Sequence, residues 1–276
     1  MNEPILRRRW LAAALAASPA AAHEVARAGQ GYALARKVRL WENTRKEFRE
    51  AIESGALRLV IVPTGSTEQH NEHLAMIHDT ASVTLVAELA ALRLYPRVLV
   101  ATPVSIGISP HWMDRKGTLT LRKETFLAVV FDICDSLRAH GVARILILNG
   151  HGGNVRPLKE SLDDFREKLR MDVQFHSYWD AYSPETVKKF MESGKAPGHA
   201  AEFETSFAMA AFPERIHWEG VDYEKVKGRL GIRDPQSAKQ DEEFAREARW
   251  ATTAKGEAMI GIAVDWLADR IERMLA

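Results

Sequence analysis

The feature that most restricts the fold of this chain is the regular alternation of short β-branched runs with segments of helical period. Residues 57–63 (Leu-Arg-Leu-Val-Ile-Val-Pro) have the length and composition of a buried strand. Residues 81–94 follow, with Val83, Val86, Leu89, Ala90 and Leu94 on one side of a helix. Residues 98–104 read as a second strand. Phe126, Val130, Ile133 and Leu137 mark a helix with one buried face. A third strand at 145–148, a helix at 157–169 and a fourth strand at 173–178 complete the pattern. Met259, Ile262, Trp266, Ile271 and Met274 give a long closing helix. Such alternation predicts an α/β fold with a mostly parallel sheet covered by helices on both faces.

Composition narrows the possibilities further. Apolar residues make up 46% of 276, enough to bury a core and to exclude disorder as the main state. Lys and Arg number 38 against 37 Asp and Glu, for a formal net charge of +1. That balance argues against a nucleic-acid or membrane-surface binder, which relies on accumulated positive charge. No stretch approaches the roughly 18 consecutive apolar residues of a membrane span. The single cysteine, Cys134, excludes a disulfide framework within the chain and a cysteine-based zinc cluster.

Residues 1–28 stand apart from the rest. Arg7-Arg8-Arg9, the apolar stretch 10–17 and the small run Ala20-Ala21-Ala22 have the layout of an export signal. The Arg-Arg-x-Trp-Leu order at 7–11 is that of a twin-arginine signal, which would send the folded protein to the periplasm. Leu6, where Ser or Thr is usual, and Glu3 count against it, and the alternative is an Ala-rich helix docked on a cytoplasmic protein. Residues 38–276 are expected to form the remaining domain, with the charged run 239–249 as the solvated side of a helix.

Ligand-type side chains collect where an open parallel sheet places its function, in loops after the carboxyl ends of strands. The first strand is followed by Gly65-Ser66-Thr67-Glu68-Gln69-His70-Asn71-Glu72-His73 and then His78-Asp79-Thr80. The third is followed by Asn149-Gly150-His151-Gly152-Gly153-Asn154. Glu68 and His70 are two apart, so an extended segment points both to one side, and Asp79 returns over them after a short loop. Glycines around His151 permit a close backbone approach. Imidazole and carboxylate without thiolate suit zinc, manganese or iron. Each residue alone is more simply structural; it is their gathering after successive strands that points to a metal site.

These motifs, with His199-Ala-Ala-Glu202-Phe-Glu204-Thr205-Ser206, resemble the creatininase family of amidohydrolases over about 41–213. The resemblance implies a three-layer α/β/α sandwich, a small-molecule substrate, and a homo-oligomer, expected as a hexamer. It also implies two divalent metal ions, with zinc first and manganese or iron as alternatives. Carried over residue by residue, Glu68 and His151 would hold one metal, His70 and Glu202 the other, and Asp79 would bridge them. His199 would be the acid/base. Glu204 and His73 would orient neighbouring groups.

Departures from the family pattern bear on the substrate. Creatininase takes its second metal's glutamate from two residues after the loop histidine, where this chain has Gly153, so Glu202 is expected to substitute. Trp179 matches one tryptophan that covers creatinine, but Lys195 stands in place of the second, so creatinine is not the expected substrate. Arg115-Lys116 replaces the usual Phe-Pro, and Arg115, His111 and Trp112 are candidate substrate contacts; a cation there would pair with a substrate anion. The expected activity is hydrolysis of a C–N bond in a small amide, cyclic amide or amidine. Metals would lower the pKa of a bound water, and His199 would protonate the leaving nitrogen. The alternatives are a metallopeptidase trimming a short peptide and a metal-binding scaffold without turnover. Nucleotide binding is disfavoured, because the chain has neither Gly-x-Gly-x-x-Gly nor a P-loop Lys-Ser/Thr.

Overall fold

In the computed structural model, residues 37–228 and 234–276 are described. The export signal or docked helix expected at 1–28 lies outside them. Strand β1 (Leu59–Thr64) is buried at every position, as a strand covered on both faces must be. It runs parallel to β2 (Val98–Val100) on one side and to β3 (Arg144–Asn149) on the other, and β4 (Asp172–Ser177) follows β3. The sheet order is therefore β2-β1-β3-β4. The chain leaves β1 to one side and returns to the other, which makes the β1/β3 boundary the switch point where open α/β sheets bind ligands. Register aligns Thr64 with Asn149, so the Glu68 and His151 loops leave the sheet side by side.

Alternation along the strands builds the layers. Val60, Val62, Leu99, Ile145, Ile147, Val173 and Phe175 share one face and pack on α3 (Lys123–Ala139) and α4 (Gly152–Leu169). Phe126, Val130, Cys134 and Leu137 on α3 and Leu158, Phe165 and Leu169 on α4 supply the helical side of that core. Phe48 and Ile52 of α1 (Arg45–Glu53) close its edge. On the opposite face, α2 (His78–Arg93) packs on β1 and β2. The last turns of α9 (Thr253–Leu275) join that face, where Trp266 meets His176 of β4 edge-on and Arg270 Nε donates to His176 Nε2 at 3.0 Å. The result is the expected helix–sheet–helix sandwich.

The contacts separate into two compact units. One contains residues 37–70, Ala75–Ala181 and Ala263–Ala276, and with them the whole sheet. The other contains Asn71–Leu74 and Tyr182–Ile262. Its helices are α5 (Pro184–Phe190), α6 (Glu202–Ala211), α7 (Tyr223–Val226), α8 (Pro235–Ala248) and the first part of α9. Within it, Leu74 pairs with Ile216 in an antiparallel bridge and His217 N donates to His73 O at 2.8 Å, which stitches the short 71–74 segment in place. Among the described residues no helix is long and apolar enough to cross a membrane.

Three expectations are adjusted. The second strand ends at Val100 and not at 104: Ala101 N still donates to Ile61 O, but Pro103 has no N–H to continue the ladder. Helix α4 begins at Gly152, five residues before the expected start, with Pro157 inside it. The 239–249 run is not simply a solvated face, since Asp241 and Glu247 of α8 are buried.

Candidate metal centre

The site grows from the ends of β1 and β3 and the first turn of α2. Thr64 Oγ1 donates to Asn149 Oδ1 at 3.2 Å, and Gly150 N donates to Thr64 O at 2.8 Å, which locks the two strand ends together. Thr80 Oγ1 donates to Ser66 O, and Glu68 N to Met76 O, both at 3.0 Å, so the Glu68 loop lies over the start of α2. A Cβ on Gly150 would come within 2.7 Å of the Asp79 carbonyl, so only glycine lets the His151 loop approach that turn. Asp79 sits in the first turn of α2, where exposed N–H groups favour negative charge.

Four expected ligands converge there. Asp79 Oδ1 lies 3.1 Å from His70 Nε2, and Asp79 Oδ2 lies 2.9 Å from His151 Nδ1. Glu68 Oε2 is 3.4 Å from the same His151 nitrogen. Donor atoms of Glu68, Asp79 and His151 all fall within 4.8 Å of one another. All four side chains are buried.

The outer ring nitrogens decide what this cluster wants. His70 Nδ1 is 3.1 Å from the Glu68 carbonyl oxygen, and His151 Nε2 is 3.1 Å from the Ile108 carbonyl oxygen. A carbonyl oxygen only accepts, so each of these nitrogens carries a proton. In the neutral imidazoles, His70 Nε2 and His151 Nδ1 then present lone pairs to carboxylate oxygens. Acceptors facing acceptors in a buried space repel unless a cation lies among them. A proton can serve, and so can a divalent metal, whose ligand histidines commonly donate their other N–H to a carbonyl or carboxylate. The donor set therefore fits a metal with nitrogen and oxygen ligands.

The titration of these groups reflects the same competition. Burial alone would raise the Asp79 pKa, but the charge of His70 and the hydrogen bond from His151 outweigh it and hold Asp79 well below the carboxylate range. Burial alone would lower the His151 pKa, yet hydrogen bonds to Asp79 and Glu68 push it up to about 10. Exposed His111 stacks on His151, with ring centroids 6.1 Å apart and planes 5° from parallel. Desolvation lowers its pKa, and the charge of His151 adds to this against the pull of Glu68, so His111 is neutral at pH 7.

The candidate substrate contacts are placed differently from one another. Trp112 is buried, with the Arg115 guanidinium 4.8 Å over its ring. Arg115 Nη1 also pairs with Asp114 at 2.9 Å, so a substrate anion would compete with a carboxylate already in place. Trp179 is half-buried in the turn Tyr178–Ala181 directly after β4, edge-on to Tyr178.

The remaining expected residues lie in the other unit. His199 is half-buried, its ring 5.3 Å from that of Phe244 on α8. Glu202 is fully buried and accepts from Lys255 Nζ at 2.5 Å, Ser193 N at 2.7 Å and Glu192 N at 3.1 Å. Burial opposes its ionisation, but Lys255 and these amides prevail and lower its pKa. Lys255 and Glu192 N share Oε1, whereas Oε2 accepts from Ser193 N. Glu204 Oε2 accepts from Ala200 N at 2.5 Å, and His73 Nε2 lies 2.9 Å from Thr205 Oγ1. Lys195, in place of creatininase's second tryptophan, is tied to Glu247 at 2.6 Å and Glu243 at 3.0 Å.

The residues missed from sequence are those that hold the candidate ligands in place. Asn154 accepts from Ile108 N and donates to Gly65 O, each at 3.0 Å, and so joins two loops of the centre. Its place at the end of the glycine-rich motif was its only signal. Gly153 has a related role, because a Cβ there would lie 2.0 Å from the Ile108 oxygen and 2.6 Å from His151 Nε2. Gly152, its neighbour in the same helical turn, has open space for 4 Å around the position a Cβ would take. Helix propensity favours alanine over glycine by up to about 1 kcal/mol at either site. Thermal unfolding should therefore show Gly152→Ala neutral or stabilised and Gly153→Ala destabilised by about 1–3 kcal/mol, the usual cost of overpacking. Equal effects of the two substitutions would contradict this placement.

Comparison with known proteins agrees with the geometry. The family model described as "Creatininase: Creatinine amidohydrolase" matches residues 41–271. A 3-dehydro-scyllo-inosose hydrolase of Thermotoga maritima is 31% identical over 193 residues, 68% of this chain and 60% of that protein. A creatinine amidohydrolase of Pseudomonas putida is 27% identical over 86% of this chain and 97% of its own length. A mycofactocin precursor peptide peptidase of Mycobacterium ulcerans is 29% identical over 57% of this chain and 60% of its own. This chain thus matches three fifths of the length of the inosose hydrolase and of the peptidase. The crystal structure of creatinine amidohydrolase superposes with a TM-score of 0.73 at 26% identity, over 86% of this chain and 97% of that one. With the family model spanning the sheet, the His151 loop and both units, this chain belongs to the creatininase family.

Proposed function

We propose that this protein, through its family a hydrolase acting on C–N bonds, cleaves a small amide, cyclic amide or amidine at a metal centre held by Glu68, His70, Asp79 and His151. The observation that carries the reading is that His70 Nε2 and His151 Nδ1 each face a separate oxygen of buried Asp79, at 3.1 and 2.9 Å. With one oxygen toward each imidazole, Asp79 is suited to serve two ions. Zinc suits this donor set, as do manganese and iron. Bound metal supplies a water acidic enough to ionise near neutral pH and polarises the oxygen of the scissile group.

The chain's own residues do the rest. Asp79 and Glu68 bring the negative charge that offsets a divalent ion in a buried space. His199 is assigned the proton delivered to the leaving nitrogen. Glu202 is the further ligand suggested by the resemblance. Creatinine is disfavoured, because the Lys195 that replaces a covering tryptophan is drawn to Glu243 and Glu247.

The test is to strip the protein with a chelator and reload it with zinc, manganese or iron separately. A panel of creatinine, cyclic amides, linear amides and short peptides is then assayed. Activity on at least one C–N substrate should vanish on stripping and return on loading. His151 has a raised pKa, so below that pKa the metal-free centre holds a proton that metal must displace. Loading at pH 7 should therefore release protons, and affinity should rise with pH. Undiminished turnover in the chelated, metal-free protein would overturn the reading.

A further inference from the structure

We propose that Ser109 is a positioning residue, which with Ser66 fixes the ring of His151 so that Nδ1 faces the metal centre. Ser109 Oγ lies 3.1 Å from His151 Nε2 and 2.8 Å from Ser66 Oγ. Ser66 and Ser109 are both wholly buried, so no water replaces a partner that either one lacks. The Ser109 backbone is itself pinned, since its N–H donates to Thr120 Oγ1 at 2.8 Å.

The direction of this chain follows from the carbonyl beside it. Ile108 O is 3.1 Å from the same His151 Nε2, which must therefore carry the proton. Ser109 Oγ accepts from that N–H, and its own hydrogen is left to donate to Ser66 Oγ. Ser66 belongs to the loop that bears Glu68 and His70, and its carbonyl takes a hydrogen bond from Thr80, next to Asp79. The two hydroxyls thus link the Ser66 loop to the His151 ring, and the Ser66 carbonyl ties in the start of α2.

Asp79, His151 and Ser109 stand in the spatial order of a serine hydrolase triad. Ser109 is not a nucleophile, because a wholly buried hydroxyl meets no substrate and Nε2 is shared with the Ile108 carbonyl. What remains is orientation. A ligand imidazole whose second nitrogen is held by fixed acceptors keeps its tautomer and its aim, and loss of such a partner costs about 10–100-fold in metal affinity.

The inference rests on His151 being a metal ligand, and the experiment separates the two. Zinc affinity is measured by chelator competition for the full-length wild type, Ser109→Ala, Ser109→Cys, Ser66→Ala and His151→Ala. Thermal unfolding of the metal-free forms is followed in parallel. Ser109→Ala should bind zinc about 10–100-fold more weakly, while its metal-free melting temperature falls about as far as that of Ser66→Ala, which breaks the same hydroxyl pair. Ser109→Cys, close in size but a poor acceptor, should behave like the alanine variant, and Ser66→Ala should weaken binding by a smaller factor. Either of these two carries the test if Ser109→Ala does not fold. Wild-type affinity in folded Ser109 variants, with His151→Ala weakened, would overturn this inference alone. A wild type that takes up no zinc, or one matched in affinity by His151→Ala, would overturn the metal reading and the inference together.

Discussion

Asp79→Ala should lose bound metal and hydrolytic activity together. Asp79 contacts both imidazoles, through a separate oxygen to each. Without it, Glu68 remains as the carboxylate beside His151, and His70 loses the oxygen that faces its lone pair. Removal of a ligand should exceed the cost of losing a ligand's hydrogen-bond partner, so the metal affinity should fall by more than about 100-fold. Metal analysis after exhaustive dialysis, beside turnover on the active amide, checks this. An Asp79→Ala protein that retains full metal and loses only activity would mean that Asp79 acts on substrate instead.

His199→Ala should give the complementary result, with metal content near wild type and kcat lower by about 10²–10⁴-fold, the usual worth of general acid–base catalysis. The substitution should leave its surroundings in place, because other side chains fasten the segment that carries His199. Glu202 accepts from the amides of Glu192 and Ser193, Lys195 is tied to α8, and Glu204 accepts from Ala200 N. The last of these bonds holds Ala200 in a left-handed conformation (φ +44°), uncommon for a residue with a Cβ. Loss of metal from His199→Ala to the same degree as from Asp79→Ala would make His199 a ligand and vacate the proton-donor role.

Much of the sheet-bearing unit was legible in the sequence because strand composition and helical period both report burial. β1, β3 and β4 fall within two residues of their expected ends: β1 and β3, buried on both faces, are continuous apolar runs, while β4 alternates between buried and partly exposed residues. The early start of α4 was not legible, because Gly152, Gly153 and Pro157 each read as helix-breaking out of context. Gly153 in its first turn leaves room for the Ile108 carbonyl, a contact distant in sequence. Helix α1 was also missed, although Thr44 and Glu47 form a capping box that marks its start.

The site divides in the same way. The gathering of Glu68, His70, Asp79 and His151 was legible because loops that follow neighbouring parallel strands lie close together. The contacts of Ser66, Ser109 and Asn154 were not, because a loop serine or asparagine has no periodic signature and its partners lie elsewhere in the chain. Lys255, more than fifty positions from Glu202, carried no sign that it would occupy that carboxylate.

The most direct test of the central claim is anomalous X-ray diffraction at the zinc edge from crystals of the zinc-loaded protein. The account predicts anomalous density among Asp79, His70 and His151, with ligand atoms at roughly 2.0–2.2 Å from zinc. Zinc located away from Asp79, or no zinc bound at all while the protein hydrolyses its substrate, would contradict it.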